Sequence, residues 1–245
     1  MSLKFHVIIP ARWHSTRLPE KMLADIGGLP MVIRTAQQAL KSSAASVTIA
    51  TDDARILEAA KAYGIQAVMT KESHQSGTDR LAEAALALGL AENEIVVNVQ
   101  GDEPLIDPLI IDQVARALMN DTESAMATCA SICEPHRAGN PNVVKVVIDR
   151  NSRALYFSRQ QIPAVRNDKV PVSFLHHIGI YSYRVSFLKG FPQLEPGTLE
   201  TIEMLEQLRV LEHGFKIHVC NTDIKHHGGV DTQEDLERFR QLFSG

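Results

Sequence analysis

Short runs of β-branched and other apolar residues alternate with segments of helical apolar spacing through the first half of the chain. The spacing predicts strands at 5–10, 47–51, 66–69 and 95–99 and helices at about 31–40, 54–63, 78–88 and 108–119. This alternation is typical of βαβ units. We therefore predict an α/β fold with a mostly parallel, doubly wound central sheet.

The run at 95–99 is almost continuously apolar, as expected of a central parallel strand that is covered on both faces. After residue 125 the pattern becomes strand-rich, with predicted strands at 125–130, 143–149 and 177–183. This change indicates an insertion or a mixed edge of the sheet. An amphipathic helix is predicted over 199–213, with Gly214 as its stop, and a last helix over about 232–242.

Composition narrows the class of protein. The 245 residues are 44% hydrophobic and 22% charged, enough for a large core without a metal or disulfide. The net charge of -4 argues against nucleic acid as a partner. Cys129, Cys133 and Cys220 are odd in number and fit free thiols better than a disulfide or metal set. With no signal-peptide pattern and no membrane-length apolar run, we expect a cytoplasmic protein that does not bind membranes.

A cationic loop directly follows the first predicted strand. Arg12, Arg17 and Lys21 lie within ten residues, and Ser15 lies among them. Such cations are often only solvated surface charges. Their position at the carboxyl end of a strand, where open α/β sheets bind ligands, instead favours a polyphosphate site. A nucleotide is the predicted substrate.

Two acidic positions are candidate metal ligands. Asp102 follows the strand at 95–99 and fits either a Mg²⁺ ligand or a turn residue, whereas Glu103 is expected to be structural. Asp231 follows a Gly pair; Asp231 with Glu234, or Thr232 with Asp235, fits a capping box. Asp231 can also be a metal ligand.

Other polar residues have less certain roles. Thr78 is expected to cap a helix, and the polar turn before it is also suited to reading a base edge. His176 and His177 are poor candidates for a joint metal site because adjacent strand residues point to opposite faces. Glu206 on an apolar helix needs a partner or a ligand if it is buried.

Eight sequence blocks are spread in order over nearly the whole chain. They are Ile-Pro-Ala-Arg-x-x-Ser-x-Arg-Leu-Pro-x-Lys from Ile9, His-Gln-Ser-Gly-Thr-x-Arg-Leu from His74, Asn-Val-Gln-Gly-Asp-Glu-Pro from Asn98, Asn-Pro-Asn-x-Val-Lys-Val-Val from Asn140, Tyr-Phe-Ser-Arg from Tyr156, His-x-Gly-Ile-Tyr from His177, Glu-x-Leu-Glu-Gln-Leu-Arg-Val-Leu from Glu203 and Gly-Val-Asp-Thr-x-Glu-Asp-Leu from Gly229. Together these blocks resemble the 3-deoxy-manno-octulosonate cytidylyltransferase family, the CMP-KDO synthetases.

The resemblance implies a Rossmann-like nucleotidyltransferase fold, similar to GT-A, with a mostly parallel sheet and a strand-rich insertion. It implies one domain over 1–245, with a sugar-binding and dimerisation subregion, or lid, at about 130–215. The implied reaction transfers CMP from CTP to the anomeric hydroxyl of 3-deoxy-manno-octulosonate (KDO) with release of pyrophosphate. Mg²⁺ is the implied cofactor, a homodimer the implied assembly, and lipopolysaccharide biosynthesis in Gram-negative bacteria the implied pathway.

By position, the resemblance also implies residue roles. Catalysis falls to Lys21, Asp102 and Asp231, of which the two aspartates are the metal ligands. CTP binding falls to Arg12, Ser15, Arg17, Lys21, Thr78 and Arg80. Sugar binding falls to Gln100, Arg159, His177, Tyr181, Glu206 and Gln207. Arg159 is the expected partner of the sugar carboxylate because its planar fork matches that group.

One departure from the family pattern concerns the phosphate loop, where Glu20 replaces the usual Gly before Lys21. The alternatives are a cytidylyltransferase for another sugar acid, such as sialic acid or an 8-amino KDO analogue, or a catalytically silent nucleotide-binding protein. A GT-A glycosyltransferase is disfavoured because the chain has no Asp-x-Asp at Asp102. A nicotinamide dehydrogenase is disfavoured because no Gly-x-Gly-x-x-Gly follows the first strand.

Overall fold

A computed structural model describes residues 4–15, 18–74, 76–167, 169 and 172–243. Their strands are β1 (Phe5–Ala11), β2 (Asp25–Ile26), β3 (Leu29–Pro30), β4 (Ser46–Thr51), β5 (Gln66–Met69), β6 (Ile95–Asn98), β7 (Met126–Cys133), β8 (Lys145–Ile148), β9 (Ala154–Ser158), β10 (Phe174–Arg184) and β11 (Ile217–Asn221). The helices are α1 (Met31–Ala39), α2 (Ala54–Ala62), α3 (Gly77–Ala87), α4 (Pro108–Asn120), α5 (Val185–Gly190), α6 (Thr198–Glu203), α7 (Gln207–Glu212) and α8 (Gln233–Phe243).

The main sheet has the strand order β11-β7-β10-β6-β1-β4-β5. Along this order only the β10 pairings are antiparallel, which confirms the prediction of a mostly parallel sheet. From β1 the chain runs outward to β4 and β5 and then returns to place β6 on the other side of β1. The carboxyl ends of β1 and β6 therefore flank a topological switch point, where open α/β sheets bind ligands.

Alternate residues of the central strands pack into two separate cores. Val7, Ile9 and Val97 lie in one core, whereas Ile8 and Val96 lie in the other. All five side chains are fully buried. Burial on both faces explains why these strands read as continuous apolar runs rather than as alternating ones.

The strand-rich region joins the same sheet through β10. The β8 strand pairs with β10, and β9 pairs with β8, both antiparallel. The side chain of Lys145 on β8 is fully buried, and its Nζ donates to three backbone carbonyls, those of Asn140, Val143 and Arg159, at 3.0, 2.5 and 2.6 Å. Burial lowers the pKa of this ammonium.

The single helix predicted over 199–213 is wrong. The structure divides it into α6 and α7 at Met204, which has a left-handed φ of 53°. The Arg159 guanidinium donates to the carbonyls of Glu203 (2.7 Å) and Met204 (3.3 Å), and the Glu203 carboxylate accepts from the Ser158 hydroxyl (2.6 Å). These contacts from β9 compete with the continuation of the helix and outweigh its apolar periodicity.

The remaining sequence expectations concern caps, thiols and hydropathy. Ser76, not Thr78, caps α3, and Asp79 completes the capping box. Cys129, Cys133 and Cys220 are free, as predicted. Across the residues that the structure describes, no helix combines the length and apolar character needed to cross a bilayer.

Candidate active site

Three distant segments meet at the carboxyl ends of β1 and β6. Lys21 begins a short 3₁₀ turn after the cationic loop, Asp102 lies in the turn after β6, and Asp231 precedes α8. The Lys21 Nζ donates to Asp102 Oδ2 at 2.6 Å and to Asp231 Oδ1 at 3.0 Å. The buried ammonium therefore lies between two carboxylates.

Backbone packing fixes this arrangement. The loop before α8 is held by the Val230 N–H, which donates to the Asp102 carbonyl at 2.9 Å. A Cβ at Gly101 would lie 2.9 Å from Met22 Sδ and 3.1 Å from the Pro10 carbonyl. A larger residue at Gly101 would have to displace the Met22 side chain and would crowd the Pro10 carbonyl, so glycine allows this close approach of the Asp102 turn to β1.

The capping of α8 leaves the side chain of Asp231 directed at Lys21. Thr232 and Asp235 form the reciprocal pair: the Asp235 N–H donates to Thr232 Oγ1, and the Thr232 N–H donates to Asp235 Oδ2, both at 3.1 Å. Of the two boxes that the sequence allowed, the structure uses this one. Asp231 is therefore not needed as the side-chain cap.

The donor set at this point fits a magnesium ion. The carboxylates of Asp102 and Asp231 both form ion pairs with the Lys21 ammonium, so they lie close enough together to share one cation. Mg²⁺ is commonly held by one or two carboxylates together with substrate phosphates. Among the described residues there is no cluster of three or more His, Cys, Asp or Glu side chains arranged for a metal. A metal at Asp102 and Asp231 would thus need further oxygen ligands, from water or from the phosphates of a nucleotide.

A polar cavity of about 410 Å³ opens beside Lys21, Asp102 and Asp231. The predicted site residues that line it are Arg12, Ser15, Lys21, Arg80, Gln100, Asp102, Glu206 and Asp231. Arg12 is exposed within it. Arg17 was also predicted to bind the triphosphate, and it lies outside the described residues. The cavity brings together cations from the first loop and the two carboxylates.

His74 and Ser76 also line the cavity, although neither was predicted as a site residue. The signal was present, because Ser76 lies in the polar turn before α3 that is suited to reading a base, and His74 begins the sequence block that contains this turn. His74 Nε2 makes a short contact with the Glu83 carboxylate, which orients the imidazole. Ser76 Oγ accepts from the Asp79 N–H at 3.1 Å as the cap of α3.

Arg80 has a structural partner in addition to its place beside the cavity. Its guanidinium donates to Asp52 Oδ2 at 2.7 Å and to Thr70 Oγ1 at 2.5 Å, and both charged side chains are almost fully buried. Asp52 also accepts from the Trp13 N–H at 2.9 Å. This pair ties α3 to the cationic loop, while the predicted contact between Arg80 and the cytidine stays a prediction.

Glu206, Thr78 and Gln207 lie together where α3 and α7 begin. Thr78 Oγ1 donates to Glu206 through a short contact and lies 3.4 Å from the Tyr183 hydroxyl. Burial raises the pKa of Glu206. Gln207 Nε2 is buried and has no hydrogen-bond partner in the described part of the chain. A polar ligand would relieve the cost of both groups.

His177 is buried beneath this region, on β10, and Tyr181 on the same strand is partly buried. Burial lowers the pKa of His177 to about 3, so its imidazole is neutral at physiological pH. Its ring packs against Phe157, with centroids 4.9 Å apart, and against Tyr181, with centroids 5.5 Å apart. The pKa of Tyr181 is raised by burial.

Arg159 makes backbone contacts in this structure. Besides Glu203 and Met204, its guanidinium donates to the Pro141 carbonyl at 3.2 Å. The role of Arg159 toward a sugar carboxylate stays a prediction, and these backbone contacts are the ones that a carboxylate would have to replace.

Glu103, expected to be structural, is buried and lies 3.3 Å from His226 Nε2.

Comparisons with known proteins identify similar chains. A family model for cytidylyltransferases matches residues 6–217. A 3-deoxy-manno-octulosonate cytidylyltransferase of Acidovorax sp. (strain JS42) is 52% identical, covering 98% of each chain. A solved structure of CMP:2-keto-3-deoxy-manno-octonic acid synthetase complexed with CTP superposes with a TM-score of 0.93 at 39% identity, covering 98% of each chain.

A more distant match shows the fold alone. A cytidylyltransferase structure from Leptospira borgpetersenii serovar Hardjo-bovis (strain JB197) has a TM-score of 0.64 at 20% identity, covering 99% of this chain and 87% of its own. The mostly parallel sheet and the cavity at its switch point thus define a nucleotidyltransferase fold. At the identity and coverage found, the chain belongs to the 3-deoxy-manno-octulosonate cytidylyltransferase family.

Proposed function

We propose that this chain transfers CMP from CTP to the anomeric hydroxyl of KDO and releases pyrophosphate. The observation that carries the proposal is the convergence of Lys21, Asp102 and Asp231 at the cavity. The similarity to proteins named for this activity supports it. A bond forms between the sugar oxygen and the α-phosphorus, and the bond from that phosphorus to the β-phosphate oxygen breaks.

The cationic residues act on the triphosphate. Arg12 and Lys21 approach it from the loop after β1 and balance the charge that develops on pyrophosphate as it leaves. Lys21 is buried between the two carboxylates, so its ammonium is held in place before CTP binds. Positioning and charge neutralisation, rather than a covalent intermediate, account for the rate enhancement.

Asp102 and Asp231 would hold Mg²⁺ together with phosphate oxygens. When bound, the ion supplies Lewis-acid polarisation at the phosphate and lowers the pKa of a nearby hydroxyl. The carboxylates themselves orient Lys21, which donates to both.

The sugar acid would lie on the side of the cavity formed by Gln100 and Glu206, above Tyr181 and His177. Glu206 and Gln207 offer hydrogen-bonding groups whose burial is unfavourable without a partner. A polyhydroxylated acid supplies both donors and acceptors for these groups. The attacking hydroxyl would then lie between the sugar pocket and Lys21.

We further propose a homodimer that works in the cytoplasm, where CTP is available, and that supplies the activated sugar for lipopolysaccharide. Support for self-association comes from large apolar side chains that are exposed in the second half of the chain: Ile132 on β7, Leu155 on β9, Ile202 in α6 and Met204 at the end of α6 are 69%, 63%, 73% and 76% exposed. Sedimentation equilibrium tests the dimer. A monomer at micromolar concentration would contradict it.

Pyrophosphate release with CTP, Mg²⁺ and KDO tests the reaction. We expect KDO-dependent release and CMP-KDO as the product. Parallel reactions with sialic acid and with an 8-amino KDO analogue identify the preferred acid, and a higher kcat/KM with either one would overturn the assignment to KDO. No release with any of the three acids, despite CTP binding, would indicate a catalytically silent nucleotide-binding protein.

A further inference from the structure

The hydroxyl of Thr128, on β7, lies among three polar groups beneath the sugar side of the site. Its Oγ1 is 2.9 Å from His177 Nε2, 2.8 Å from the Ile180 carbonyl and 3.2 Å from the Ile178 carbonyl. Thr128 is fully buried, so water does not compete for these contacts. No role for this threonine was predicted from the sequence.

A hydroxyl has one hydrogen, and its oxygen accepts through lone pairs. Both carbonyls are acceptors only. If Thr128 donated to His177 instead, its oxygen would face two carbonyl oxygens at 2.8 and 3.2 Å with no hydrogen between them. The favourable arrangement has Thr128 donating to a carbonyl and accepting from His177. The hydrogen of the neutral imidazole must then be on Nε2.

The two carbonyls are available because β10 is irregular at this point. Its pairing with β7 shifts register between Ile178 and Tyr181, and Thr128 is the registered partner of Tyr181. A bulge interrupts the ladder and leaves backbone groups without strand partners. The Thr128 hydroxyl lies within hydrogen-bond distance of the Ile178 and Ile180 carbonyls at the bulge, and it also contacts His177. The bulge and the orientation of His177 are therefore linked through Thr128.

The other nitrogen of His177 follows from this arrangement. With the hydrogen on Nε2, Nδ1 has a free lone pair and can only accept. Within the described part of the chain, Nδ1 has no hydrogen-bond partner. Phe157 and Tyr181 enclose the ring and limit its rotation. Because its pKa is lowered to about 3, the imidazole is a poor proton acceptor, and a general-base role does not suit it.

We propose that Thr128 is a positioning residue for the sugar acid: it fixes His177 in the tautomer with hydrogen on Nε2, so that Nδ1 accepts a hydrogen bond from a hydroxyl of the substrate. This inference rests on the proposed function for the identity of the substrate. The tautomer itself does not depend on that identity. The bulge in β10 thereby contributes to substrate selection through one threonine.

Nitrogen NMR of ¹⁵N-histidine-labelled protein without substrate tests the tautomer directly. The His177→Asn variant assigns the resonances, because its spectrum lacks them. We expect a protonated Nε2 and an unprotonated Nδ1 at neutral pH. A proton on Nδ1 would overturn the proposal, whatever the activity of the protein.

Kinetics of two Thr128 variants tests the consequence. Thr128→Val removes the hydroxyl at nearly constant volume, whereas Thr128→Ser retains it. We expect the valine variant to raise KM for KDO about tenfold, as for the loss of one hydrogen bond, while KM for CTP stays unchanged. The serine variant is expected to keep the wild-type KM for KDO and the Nε2 proton.

Thr48→Val is the matched control. Thr48 is also a fully buried strand threonine, on β4, and its hydroxyl donates to Gln66 Oε1 at 3.2 Å. Its removal should leave KM for KDO unchanged. A wild-type KM for KDO in a folded Thr128→Val variant would refute the positioning role. If the valine variant does not fold, the tautomer of His177 in the wild-type protein still tests the proposal. Absence of KDO turnover in the wild type would instead refute the proposed function.

Discussion

The Lys21 ammonium donates a 2.6 Å hydrogen bond to Asp102 Oδ2 across 81 positions of sequence. Asp231 completes the cluster from the far end of the chain, at 3.0 Å. A cation that is already held between two carboxylates places three charged groups at the sheet switch point before any nucleotide binds.

Asp102→Asn should fold normally and lose at least about 100-fold in turnover. The amide still accepts a hydrogen bond from Lys21, but it lacks the charge needed to hold a divalent cation. Steady-state CMP transfer over a range of Mg²⁺ concentrations measures the effect. Asp107→Asn is the control, since an asparagine still caps α4 and should leave turnover unchanged. Full turnover of the Asp102 variant at saturating Mg²⁺ would exclude the metal-ligand role.

Lys21→Met should bind Mg²⁺ more tightly without nucleotide yet turn over more slowly. Removing the ammonium leaves Asp102 and Asp231 without their shared cation, so the two carboxylates are available to a divalent ion. The leaving pyrophosphate, by contrast, loses a positively charged partner. Calorimetric titration with Mg²⁺ and steady-state kinetics measure the two effects, with Lys21→Arg as the charge-retaining control. A change confined to KM for CTP would mean that Lys21 binds ground state and transition state equally.

Arg80→Met should lower the free energy of unfolding by about 3–5 kcal/mol, because it leaves Asp52 buried without its partner. Urea denaturation measures the loss. Combining it with Asp52→Asn should recover part of the stability, since no buried charge is then unpaired. Strict additivity of the two substitutions would show that the buried pair does not stabilise the fold.

Glu20→Gly should raise the free energy of unfolding by up to about 1 kcal/mol. Glu20 has a left-handed φ of 55°, which costs an L-residue roughly 1–2 kcal/mol that glycine largely avoids. The matched control is Glu58→Gly in the exposed face of α2, where the same substitution should cost about 1 kcal/mol. Equal destabilisation at both positions would refute the strain at Glu20.

Glu206→Gln should become increasingly more stable than the wild type as pH rises from about 4. Burial raises the pKa of folded Glu206 above its unfolded value, so the folded protein retains the proton longer and loses stability as pH rises through the folded pKa. Urea denaturation from pH 4 to pH 8 measures the difference.

Glu203→Gln is the control for that pH dependence, three residues away. Hydrogen bonds from Ser158 and from the Arg159 N–H hold the pKa of Glu203 below its usual range. Its contribution is present above the unfolded pKa and is lost as pH falls, so the slope of the difference should have the opposite sign. Parallel slopes for the two variants would contradict both assignments.

Local patterns in the sequence predicted the first half of the fold well. The helices at α1, α2 and α4 and the strands at β4 and β6 agree with their predicted bounds to within a residue or two. The reason is that burial on both faces of a sheet, or on one face of a helix, imposes a period that neighbouring residues alone reveal. The strands β9 and β11 were not predicted, and α6 and α7 were predicted as one helix.

The failures share a cause that local patterns do not contain. The helix break at Met204 depends on Arg159, which directly follows β9 and donates to the carbonyls of Glu203 and Met204. Thr78 does not cap α3 because Ser76 does, which leaves the Thr78 hydroxyl for Glu206. In each case a side chain distant in sequence, or a competing neighbour, settles which of two favourable hydrogen bonds forms.

By itself the sequence determined the alternation of strands and helices, and the cations and carboxylates that follow β1 and β6. Only the tertiary structure decided that Asp231 joins Lys21 from 210 positions away, because strand order and turn packing set that distance. The same holds for Thr128 and His177, which meet across two paired strands at a bulge. Periodicity is a local property, whereas the protonation and pairing of buried groups depend on every element packed around them.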